Sequence, residues 1–89
     1  MSKPPATIER AVVLGASSGI GRATTLALAA RGTRVWAVAR RAPALAEVAA
    51  SAPPCTVETV VGDATDAATV ERVLTAAAPD LIVVSVGIL

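Results

Sequence analysis

The stretch VVLGASSGIGRAT, residues 12–24, opens on β-branched apolar residues, passes through three glycines and two serines, and ends in helix formers. Its apolar start reads as a buried strand and its end as a helix, so the glycines fall in a strand-to-helix turn. Gly15 ends the strand, where a sharp turn or a positive φ is expected. Gly19 falls at the helix start, where a side chain would hold a pyrophosphate away from the backbone. Gly21 lies one step further in, where a bare Cα permits close helix–strand packing and ligand approach. The first N–H groups of a helix lack intrahelical partners, and together with the helix dipole they favour an anion there. Ser17 and Ser18 add hydroxyl donors and can cap the helix. The same residues also fit a glycine-rich turn with serine caps and no ligand. The spacing is GxxxGxG rather than GxGxxG, and no Gly-Lys-Ser/Thr follows, so an ATPase P-loop is a poor fit.

Outward from this turn the chain alternates. Residues 10–15 (RAVVLG) form the predicted first strand, and the helix from Gly19 runs to about Arg31, with Gly32 as its stop. Residues 33–39 (TRVWAVA) read as a second strand. Pro43 suits a first helical turn, Leu45, Val48, Ala49 and Ala52 recur at helical spacing, and Pro53 and Pro54 end that helix. A third strand is predicted over residues 55–61 (CTVETVV), followed by Asp66 as an N-cap. Val70, Val73, Leu74 and Ala77 then make one helical face that Pro79 closes, and residues 81–86 (LIVVSV) make a fourth strand. This βαβαβαβ order with apolar strands indicates a parallel sheet covered on both faces. Right-handed crossovers give the strand order 3-2-1-4, with the first two helices on one face and the third on the other. A crevice is expected at the carboxyl ends of strands 1 and 4, where the order reverses. Residues 1–9, with Pro4 and Pro5, read as a flexible lead-in to a domain over 10–89.

Composition narrows the function classes. A chain of 89 residues is one domain or part of one, and 54% of it is hydrophobic. The net charge of +1 and a single aromatic residue, Trp36, argue against nucleic acid and anionic membranes as partners. Cys55 is alone, which rules out an internal disulfide, and it is expected to be a half-buried apolar residue. The N-terminal MSKPPATIER has no apolar signal core, and the longest apolar run, at residues 81–89, is far short of the ~20 residues of a membrane helix. The expected setting is cytoplasmic.

The loop Gly15-Ala16-Ser17-Ser18-Gly19-Ile20-Gly21 resembles the cofactor loop of the short-chain dehydrogenase/reductases, and the resemblance extends over roughly residues 8 to 88. It implies a three-layer partial Rossmann fold truncated after strand 4, the first third to half of such an enzyme. A member preferring NAD(H) is expected to carry Asp or Glu at the end of strand 2. This chain has Ala39 there, then Arg40 and Arg41, whose guanidinium groups suit a 2′-phosphate. NADP(H) is therefore the expected cofactor, with NAD(H) as the alternative. The resemblance gives Asp63 the adenine amino group and Ala64 backbone contacts, although by physics alone Asp63 fits a turn or capping residue equally well. It aligns Gly87 with the glycine of the family's Asn-Asn-Ala-Gly segment, whereas Val84, Ser85 and Val86 depart from that pattern. The family's catalytic Tyr and Lys have no counterpart here, since the chain has no Tyr and no His and its one Lys is Lys3. No carbonyl reduction is expected from the chain alone. Three functions follow: the N-terminal cofactor-binding portion of an oxidoreductase, a free-standing nucleotide-binding module, or a half-sheet that associates with another chain. The apolar fourth strand has no outer neighbour, which invites self-association or docking of a missing C-terminal half.

Overall fold

The computed structural model describes residues 8–17 and 19–85. The elements follow the expected order: β1 (Arg10–Leu14), α1 (Gly19–Ala30), β2 (Arg34–Ala39), α2 (Ala42–Ser51), β3 (Val57–Val61), α3 (Ala67–Ala77) and β4 (Leu81–Val84). The four strands are parallel and ordered β3-β2-β1-β4. This is the doubly wound arrangement that the alternation of strands and helices predicts.

Each face of the sheet has its own cluster, because successive strand residues point to opposite sides. Val13, Val35, Ala37 and Ala39 pack with Ala29 of α1 and Leu45 of α2. Val12, Leu14 and Val38 pack with Val73 and Ala77 of α3 on the other face. The buried stripe of α1 is Gly21, Thr25 and Ala29, spaced one turn apart and all small, which lets the helix lie close to the sheet. Thr25 is fully buried and donates its hydroxyl to the Gly21 carbonyl at 2.8 Å.

The boundaries have local causes. Past α1, the Gly32 N–H donates to the Ala29 carbonyl and the Thr33 N–H to the Leu28 carbonyl, with Gly32 at φ 89°, a Schellman ending. Asp66 caps α3 as expected, its carboxylate accepting from the Thr69 N–H at 3.1 Å and the Thr69 hydroxyl at 2.8 Å.

Three expectations change. Covering on both faces holds for β1 and β2 only. The outer strand β3 exposes Glu58, Thr59 and Val61, and β4 exposes Ile82 and Val84. Each of these strands has a neighbour on one side only, so its outer side chains stay open. Strand 3 starts at Val57, because Cys55 sits in a left-handed turn at φ 63°. That turn places Cys55 in solvent, so it is not the half-buried residue expected. Residues 1–7 of the expected lead-in and Val86 of the expected fourth strand lie outside the described residues, whereas the Ile8 carbonyl accepts from the Thr33 hydroxyl at 2.7 Å.

Candidate functional site

The parallel register gathers the candidate residues at one end of the sheet. Leu14 pairs with Val38 and with Val84, and Ala39 pairs with Val61. Hydrogen bonds then continue beyond the strands: Gly15 and Ala16 N–H both donate to the Val38 carbonyl at 2.9 and 3.1 Å, and Gly62 N–H donates to the Ala39 carbonyl at 2.9 Å. Ser85 N–H likewise donates to the Leu14 carbonyl at 2.8 Å. The turn holding Gly15 and Ser17, the segment holding Arg40 and Arg41, and the segment holding Asp63 and Ala64 therefore lie side by side. Ser18 and Gly87 lie outside the described residues.

The glycines of the turn have distinct reasons. Gly15 and Gly19 take left-handed backbone, at φ 88° and φ 57°. A Cβ at Gly19 would point into open space, so the first turn of α1 has a bare, accessible approach. A Cβ at Gly21 would overlap the Gly15 carbonyl oxygen, with the carbonyl carbon at 2.9 Å and the Ala16 Cα at 3.3 Å. Gly21 thus holds the helix against the turn. Ile20 stands 76% exposed in that first turn. A left-handed glycine turn feeding an unobstructed helix start fits a phosphate group, and the residues that would hold a dinucleotide are Gly15, Ser17, Gly19, Ile20 and Gly21.

Arg40 and Arg41 are both exposed. Arg41 occupies the N-cap position of α2 with extended backbone, φ −103° and ψ 104°, and makes no side-chain cap. Asp63 accepts from the Thr65 hydroxyl at 2.7 Å and the Thr65 N–H at 2.8 Å. The hydroxyl bond, then the N–H bond, and to a lesser degree the Arg40 charge, hold its carboxyl below the usual range. Asp63 therefore fixes the turn after β3 and also feels the Arg40 charge. Ala64 is half-buried against the α3-side cluster.

The crevice expected where the strand order reverses falls in part on residues 86–89, which lie outside the described residues. Among the described residues a cleft opens between α1 and α2. It measures about 270 Å³ and is lined by Ser17, Gly19, Arg22, Ala44 and Glu47. Arg40 and Arg41 are not among its lining residues, and Arg22 and Glu47 were not singled out from the sequence. The signal for Arg22 was its place in the first helical turn, directly after Gly21; Glu47 had none, because only helix packing brings it there. No metal-binding cluster occurs among the described residues, and none of their helices is long and apolar enough to cross a membrane.

The comparisons with known proteins agree with this geometry. The family model described as short chain dehydrogenase matches residues 9–89. An uncharacterized oxidoreductase of Myxococcus xanthus is 46% identical over 85 residues, covering 88% of this chain and 34% of that protein. L-Xylulose reductase of Mesocricetus auratus is 44% identical over 75 residues, covering 83% of this chain and 30% of that protein. Among solved structures, L-sorbose reductase from Gluconobacter frateurii, complexed with NADPH and L-sorbose, superposes with a TM-score of 0.75 at 32% identity. That match covers 90% of this chain and 34% of the reductase. The chain thus spans about a third of the length of the relatives it matches. With the sheet order, the glycine turn and these matches in agreement, the chain belongs to the short-chain dehydrogenase family of oxidoreductases.

Proposed function

We propose that this chain is the dinucleotide-binding portion of a short-chain oxidoreductase and that it favours NADP(H) over NAD(H). The observation that carries the reading is the glycine turn, left-handed at Gly15 and Gly19 and open at Gly19, set at the carboxyl end of β1. A bound dinucleotide would donate or accept the hydride. The chain's own part is to hold the diphosphate at the turn, with Ser17 and Ser18 as hydroxyl donors and Gly87 leaving room for a ribose. Asp63 and Ala64 meet the adenine. The choice of NADP(H) rests on Arg40 and Arg41, which directly follow Ala39, the position where a ribose-binding carboxylate would otherwise be; a guanidinium attracts a 2′-phosphate that a carboxylate repels. The L-sorbose reductase, solved with NADPH, supports the choice by likeness.

Calorimetric titration with NADPH, NADH and ATP tests the reading. NADPH is expected to bind most tightly, and Arg40→Glu to weaken NADPH far more than NADH. Equal losses for both would remove the NADP(H) assignment, and binding of none of the three would remove the nucleotide reading. With no Tyr and no His in the sequence, no carbonyl reduction is expected from the 89-residue chain; NADPH-dependent turnover by a clean preparation would contradict this.

A second reading concerns association. The outer edge of β4 has no neighbour among the described residues, and Ile82 and Val84 are 47% and 65% exposed beside it. Such an edge takes another strand, from a second copy or from the remainder of a longer chain.

A further inference from the structure

The cleft between α1 and α2 carries opposite charges on walls contributed by different helices. Arg22 comes from the first turn of α1 and Glu47 from the middle of α2. Both are exposed, and among the described residues they do not pair with each other; the ion pair found there is Arg34–Glu58. Ser17 and Gly19 belong both to the turn and to the cleft lining, so a nucleotide held by the turn borders this space directly. Arg40 and Arg41 are not among the residues that line it.

We propose that Arg22 and Glu47 act as an opposed selectivity pair for the 2′ substituent of an adenosine ribose. Arg22 draws a phosphate dianion, and Glu47 repels it. Conversely, the Glu47 carboxylate accepts a hydrogen bond from a free ribose hydroxyl, which gains little from Arg22. The pair therefore moderates the preference that Arg40 and Arg41 establish and leaves NAD(H) a usable ligand. The proposal rests on the nucleotide reading above and adds to it which of this chain's residues tune the choice.

Exposed charge interactions of this kind change affinity by about threefold. The test is calorimetric titration of the 89-residue chain, Arg22→Gln and Glu47→Gln with adenosine 2′,5′-bisphosphate and with 5′-AMP. Glu47→Gln is expected to raise the preference for the bisphosphate about threefold, and Arg22→Gln to lower it by a similar factor. Arg22→Lys, which keeps the charge, retains most of the preference, and high salt shrinks every difference. Circular dichroism confirms that each variant is folded; should a glutamine variant fail to fold, Arg22→Met or Glu47→Ala, which also remove the charge, takes its place with the same expected direction. If the substitutions move both affinities by one common factor, or by none, the pair is overturned while the nucleotide reading stands. If the unmodified chain binds neither ligand, the nucleotide reading falls and this proposal with it.

Discussion

A methyl group added at Gly21 would meet the Gly15 carbonyl head-on, and neither partner is a flexible side-chain end that can swing away. Alanine is the better helix former by about 1 kcal/mol. Here that gain is outweighed, because α1 would have to lift off a turn fixed by two hydrogen bonds to Val38. Gly21→Ala is expected to destabilise the fold by about 1–3 kcal/mol, the range for overpacking, which thermal unfolding reads as a drop of several degrees. Gly19→Ala provides the contrast. Nothing obstructs a Cβ there, so its cost is only the left-handed φ of 57°, about 1 kcal/mol. An equal effect at both positions would mean that the close approach at Gly21 is not what holds the helix.

Among the elements, α3 and α2 start differently. The α3 start is fixed by Asp66, which takes both the N–H and the hydroxyl of Thr69, and Thr69 is itself buried. Removing that carboxylate leaves two donors without partners at the edge of the core. Asp66→Ala is expected to cost about 1–2 kcal/mol, seen as a lower urea midpoint with an unchanged slope. The α2 start lacks any such side-chain cap and relies on Pro43 for its first turn. That difference suits the positions of the two helices: α3 covers the cluster of Val12, Leu14 and Val38, whereas Ala44 in the first turn of α2 lines the cleft.

Across the whole molecule, the amino ends of β1 and β4 are clipped together by Asp80, which accepts from the Glu9 N–H at 3.0 Å and the Arg10 N–H at 3.1 Å. The Arg10 N–H bond first, then the Glu9 N–H bond, with a smaller part from the Arg10 charge, hold the Asp80 carboxyl below its ordinary range. A carboxylate with a lowered folded pKa stabilises the fold above its unfolded pKa of ~3.9, and that stabilisation is lost as pH falls through the folded value. Asp80→Asn is therefore expected to lower stability at neutral pH and to flatten its decline under acid, measured as the unfolding midpoint against pH. An unchanged acid profile would show that the clip carries no charge-dependent stability. At the same scale, the open β4 edge predicts self-association. In analytical ultracentrifugation the average mass is expected to rise with concentration, and Val84→Lys to suppress the rise, because an edge lysine disfavours strand addition. A monomer at every concentration would refute edge pairing.

Much of this protein is legible in its sequence, and the reasons are local. Gly15 and Gly32 sit where only a residue without a Cβ takes left-handed backbone cheaply, Asp66 stands three residues before the donor it caps, and the alternation of strand and helix patterns leaves one plausible handed winding. The order β3-β2-β1-β4 and the gathering of Gly15, Arg40 and Asp63 at one end of the sheet follow from those signals. Other features depend on the approach of segments distant in sequence, which no periodicity encodes. Asp80 reaches residues 70 and 71 positions away, and Arg22 and Glu47 face one cleft only because α1 and α2 lie side by side. The exposure of Cys55 follows from its left-handed turn and that of Val61 from its place at the end of the outer strand β3. Sequence alone therefore determined the winding and the glycine turn, through backbone sterics and hydrophobic periodicity, whereas the charges around the site and the seals at the sheet's edges were decided by tertiary packing.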